Sequence, residues 1–145
     1  MGKGTQKPIV FDFSREIIGT PYFLGYDHSN NGIDCFTLIV KYLEKFSIYI
    51  SEDEILDGIN LINYKDKYLE DNSIIMIADK YLSKKFKPKS PSRSFTGDIV
   101  MLDYNGKFFF GIDAGNGNIL TVNTKTGAKI VHGDIYRILK AWPIR

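Results

Sequence analysis

The chain has 145 residues, enough for one domain and cramped for two. Hydrophobic residues make up 43% and aromatic residues 14%, so a core can form and disorder is excluded as the main state. Nineteen Lys and Arg against 17 Asp and Glu leave a formal charge of +2, which gives no general pull toward nucleic acid or an anionic membrane. A single cysteine excludes an intrachain disulfide and a Cys-based zinc site, and no motif implies a cofactor or metal. Two histidines, His28 and His132, confine any imidazole chemistry to two positions.

The first ten residues, MGKGTQKPIV, hold no apolar stretch of the signal-peptide kind and miss the N-myristoylation pattern. No apolar run nears the ~20 residues of a membrane helix, so no membrane insertion is expected. The expected location is the cytosol, or a particle assembled there. Residues 1–12 read as an N-terminal tail and residues 13–145 as one domain. Ser14 is placed to cap a short helix through Ile18, closed by Gly19-Thr20-Pro21. A loop rich in Gly, Asn and Asp follows from Gly25 to Gly32.

A helix is then predicted from Asp34 to Phe46. Ile33, Phe36, Ile39, Val40, Leu43 and Phe46 recur at three- and four-residue steps and make one face apolar. Asp34 stands where a carboxylate satisfies the free N–H groups and the helix dipole. Ser51 and Glu54 form a capping box that opens a helix through about Ile59. Asn72 or Ser73 opens another, with Ile74, Ile77, Ala78 and Tyr81 as its buried stripe. The stretch from Lys84 to Arg93, with five basic residues and two prolines, reads as a solvated connecting loop.

From Gly97 the hydrophobic period becomes two. Asn105-Gly106, Asn116-Gly117 and Thr126-Gly127 each lie between apolar runs and signal hairpins. Five antiparallel strands follow: 99–104, 107–114, 119–123, 128–132 and 136–142. Helices first and a meander second imply an α+β fold with helices on one face of the sheet. In the run Phe108-Phe109-Phe110 the middle ring points opposite to its neighbours. Both faces of that strand should therefore be covered, by the chain itself or by a neighbouring subunit.

The chemically informative stretch is Gly19-Thr20-Pro21-Tyr22, a loop, then Gly32-Ile33-Asp34-Cys35. A cysteine in the first turn of a helix gains thiolate character from the helix N-terminus, and the thiolate is the nucleophile. The plainer reading is a buried helical cysteine. Together with Gly97-Asp98-Ile99-Val100 and the turn Gly115-Asn116-Gly117, these segments resemble the NlpC/P60 family of papain-like cell-wall cysteine peptidases. The likeness covers roughly Phe13 to Arg145. It looks closest to the short versions of phage tail-assembly modules, which often end in an aromatic-Pro strand like Ala141-Trp142-Pro143-Ile144-Arg145.

The resemblance implies a papain-like α+β fold, N-terminal helices on a five- to six-stranded antiparallel sheet. It puts Cys35 at the nucleophile, Asp34 at the residue before it and Tyr22 at a tyrosine lining the site. Thr37 stands where a glycine is common. The family's general-base histidine falls on Phe109 and the third polar position near Thr121. No histidine lies anywhere from Met101 to Asn123, so no shift of register restores the base. His28, in the loop before Cys35, is a substitute candidate, as is His132 on a late strand. Each is otherwise a loop or surface residue.

Three functions follow. One is an inactive descendant of the peptidase fold, a structural part of a phage tail tip or baseplate carried in the virion. Its partners would be other tail proteins. Another is an active cysteine peptidase or amidase that cuts peptidoglycan peptides with an unorthodox base. The third is a protein that binds wall fragments without cutting them.

Overall fold

The computed structural model describes residues 2–22, 33–49, 73–90, 94–123 and 125–144. The expected loop 25–32 with His28, and the capping box at Ser51 with its helix, lie outside the described residues. Helix α1 spans Gly2–Ile17, α2 Cys35–Glu44 and α3 Ser73–Lys85. Strands β1 Ile99–Tyr104, β2 Lys107–Gly115, β3 Asn118–Asn123, β4 Gly127–His132 and β5 Arg137–Trp142 follow, so the α+β order holds. Among the described residues no helix is long and apolar enough to cross a membrane.

The first helix differs from expectation. Residues 2–12, expected as part of a tail, are helical: α1 runs through Gly2, Gly4 and Pro8, all of which oppose a helix locally. Val10, Phe13 and Ile17, at three- and four-residue steps, are buried in the core and anchor it there. Ser14 is therefore an interior residue of α1 and not its cap.

Helix α2 also exceeds its sequence reading. The pattern suggested one apolar face, but Cys35, Phe36, Thr37, Leu38, Ile39, Val40, Tyr42 and Leu43 are all buried. The helix is central, and packs against β2 and β3. In α3 the buried positions are Ile75, Ala78, Asp79 and Leu82, with Tyr81 half-buried; the side chains of Ile74 and Ile77 lie outside the described set. Asp79 is held by Lys140 at 2.9 Å and by the Ser83 hydroxyl at 3.1 Å, while Trp142 donates its indole N–H to Ser83 Oγ. This chain of contacts fastens α3 to β5.

The sheet order is β4-β3-β2-β1-β5. The first four strands form the expected meander. The fifth does not add beyond β4: it crosses through a 3-10 turn, Gly133–Ile135, and pairs antiparallel with β1. Asn105 and Asn116 take positive φ before a positive-φ glycine, as two-residue hairpins of this twist require.

Two clusters of buried residues lie on opposite faces. Ile99, Met101, Phe110, Ile112, Leu120, Ala128 and Trp142 meet the helices. Val100, Leu102, Ile119 and Ala141 form the second, joined by Val131, Tyr136 and Ile138. A side chain at Gly111 would strike Ile119 Cγ2 at 2.6 Å, so β2 and β3 can close on this face only over a glycine.

The basic connecting stretch is not simply solvated. Phe86 is buried, and the Lys89 N–H donates to the Ala141 carbonyl at 2.9 Å, laying the connection along β5. The Lys89 ammonium pairs with Asp98, whose side chain is fully buried, and lies 4.2 Å from the Phe95 ring centre. A buried carboxylate at the start of β1 needs such a partner, which draws the lysine inward.

Candidate functional site

Asp34 caps α2, and its carboxylate Oδ1 accepts the Thr37 N–H at 2.8 Å. In return Thr37 Oγ1 accepts the Asp34 N–H at 2.8 Å. The Thr37 hydroxyl also lies 3.1 Å from both Asp34 Oδ1 and the Asp34 carbonyl. This reciprocal capping box pins the helix start with both residues buried. Cys35 is the first residue of the helix and is itself buried, which joins the two sequence readings: a helix N-terminal cysteine and a core cysteine.

The Gly19-Thr20-Pro21-Tyr22 segment is stitched between β4 and α2. The Gly19 N–H donates to the Ala128 carbonyl at 3.0 Å, and the Ala128 N–H to the Thr20 carbonyl at 2.9 Å. Gly127 has φ +77 and presses its Cα against the Thr20 carbonyl, where no Cβ fits. On the other side the Ile33 N–H donates to the Pro21 carbonyl at 3.0 Å, and Tyr22 bridges to Ile33 in parallel. Tyr22 thereby arrives beside the start of α2. Its phenol is pushed up to about 12, first by burial and then by the nearby Asp34 and Cys35 groups. It stays a neutral hydrogen-bond donor at ordinary pH.

The strand residues occupy other surroundings. Thr121 is buried and its hydroxyl donates to the Phe110 carbonyl at 2.8 Å, so it serves the sheet. Phe109 is half-buried and packs against both clusters. Its ring meets Tyr136 edge to face with centroids 5.0 Å apart, and Tyr136 meets Tyr104 likewise at 5.8 Å. Both faces of β2 thus carry contacts from within the chain, and the Phe109 ring stays half-buried. His132 ends β4, exposed, opposite Asn118.

The structure therefore brings Tyr22, Asp34 and Cys35 together. It leaves Phe109 and Thr121 on the sheet and His132 at an edge. Two residues escaped the sequence reading. Thr37 is the reciprocal partner of Asp34, and its spacing of three from the cap was the available signal. Tyr136 was read only as a strand residue; its ring covers Phe109 because the crossover after β4 brings it there. The set offers a thiol at a helix N-terminus and a neutral phenol donor, while the Asp34 carboxylate is engaged in capping. Among the described residues no three His, Cys, Asp or Glu side chains converge to hold a metal ion.

Solved structures resemble this one. NlpC2 from Trichomonas vaginalis superimposes with a TM-score of 0.62 at 12% identity, over 95% of this chain and 45% of that one. NlpC1 from the same organism gives 0.60 at 14% identity, over 96% and 44%. The chain spans less than half the length of either. At such identity the likeness is one of fold: this is an NlpC/P60-like, papain-like α+β structure. No protein-family model matches the chain. No curated protein matches it either.

Proposed function

We propose that this chain is a non-catalytic structural protein on an NlpC/P60-like frame, a component of a phage tail tip or baseplate whose partners are other tail proteins. The observation that carries the loss of catalysis is Phe109. In the alignment of motifs it takes the place of the general base, and its ring is packed against Tyr136 and both clusters. A phenyl group cannot accept the thiol proton, and losing the base of such a pair lowers the rate by orders of magnitude. The tail assignment is supported by the likeness of the motifs and of the Ala141-Trp142-Pro143 stretch to short phage versions, not by the fold neighbours.

The reading is tested with purified protein and a γ-glutamyl-diaminopimelate peptide. No cleavage is expected, and Cys35 should alkylate no faster than free cysteine at mildly acidic pH. Turnover that disappears in Cys35→Ala would sink it.

The retained trio favours a second reading. Cys35 at the start of α2, with a neutral Tyr22 donor beside it, is compatible with an active peptidase or amidase that recruits His28 or another base. Fast alkylation of Cys35 at mildly acidic pH is the result this reading requires, and its loss in His28→Ala would name the base.

A further inference from the structure

Strand β4 is one edge of the sheet. Ala128 exchanges its backbone hydrogen bonds outward, with Gly19 and Thr20. In an antiparallel pair such positions recur every two residues, so Ile130 and His132 also face away from β3. Their registered partners, Leu120 and Asn118, are then non-hydrogen-bonded pairs, while Lys129 and Val131 bond to β3. Three groups point outward beyond Ala128: the N–H and C=O of Ile130 and the N–H of His132. Among the described residues nothing pairs with them. The opposite edge is different, because there Lys89 already bonds to Ala141 on β5.

We propose that residues Lys129 to His132 of β4 take up an extended segment of a partner protein as an added strand, continuing the line begun by Gly19 and Thr20. Unpaired N–H and C=O groups at strand spacing are a template for a further strand. The Gly19–Thr20 contacts show that this edge accepts backbone at hydrogen-bonding distance. Ile130 is 41% exposed and gives the incoming strand an apolar contact. Lys125 is exposed and Lys129 half-buried, while the acidic Asp134 lies beyond the last outward position. The segment that fits alternates apolar residues, set over Ile130, with acidic ones set toward Lys129. This inference stands whether or not Cys35 is active.

The test is amide hydrogen exchange on the full chain, with and without a blocked hexapeptide of alternating Val and Glu. The Ile130 and His132 amides should exchange freely alone and slow by about tenfold or more with saturating peptide. A Val-Lys peptide should bind more weakly, and Lys129→Glu should reverse that preference. Ile130→Pro, which removes an outward N–H and no ladder bond, should abolish the protection; if that variant fails to fold, the Lys129→Glu reversal decides. Three results would overturn the proposal: protection already present in the dilute free protein, protection that grows with protein concentration alone, or none at millimolar peptide.

Discussion

The two faces of the sheet differ in how they are closed. The face toward the helices meets long apolar side chains from α1, α2 and α3, and Phe110 and Trp142 are buried there to 0% exposure. On the other face Val131, Tyr136 and Ile138 pack against Val100, Leu102, Ile119 and Ala141, with Phe109 and Tyr136 half-buried at its margin. One strand, β2, serves both through the alternation of its side chains. Adjacent phenylalanines in it therefore have unlike roles: Phe110 is core, while Phe109 packs against Tyr136 on the second face.

The contrast can be broken most directly by truncation. Phe110→Ala should cost roughly 3–5 kcal/mol, since it empties a fully buried ring's volume. Phe109→Ala should cost about 1–2 kcal/mol, because part of that ring is already solvated. Denaturant midpoints with unchanged m-values would confirm the order, and equal losses would show that the second face is as closely packed as the first.

Where the connection from α3 meets β1, Asp98→Ala should cost about 3 kcal/mol, because it strands the Lys89 ammonium in a site only 18% exposed. Thermal unfolding of Lys89→Met with Asp98→Leu should recover much of that loss. At the helix start the effect is smaller. Asp34→Ala removes the cap of α2 and should cost about 1 kcal/mol, with Asp34→Asn nearer wild type.

The smallest effect is one of pH. The Tyr22 phenol titrates near 10 when unfolded and is pushed up to about 12 in the fold. The folded state thus holds this proton more tightly. The associated stability is complete below pH 10 and is lost as pH rises through 12. Tyr22→Phe should flatten that part of the alkaline stability curve, and an unchanged curve would mean that neither burial nor the neighbouring Asp34 and Cys35 holds the phenol proton.

Much of this was legible along the chain. Period-two alternation and Asn-Gly turns located β1 to β4 within a residue or so, because hairpin geometry is local. The Asp34 cap was legible for the same reason. Helix α1 was not, since Gly2, Gly4 and Pro8 oppose it locally and only burial of Val10, Phe13 and Ile17 supports it. The inward turn of Lys89 was hidden too, because its partner Asp98 is nine residues away across the connection.

By itself, the sequence determined that helices followed by an antiparallel meander would form, that Cys35 would open a helix, and that no imidazole lies in the strand where the resemblance expects one. Those properties rest on residue identity and near-neighbour spacing. Only the tertiary structure decided that α2 is buried on every side over its first six residues, that β5 returns to β1, that Tyr136 packs on Phe109 and that Tyr22 stands beside Cys35. These depend on contacts between segments far apart in the chain, which long-range packing selects and local propensity does not encode.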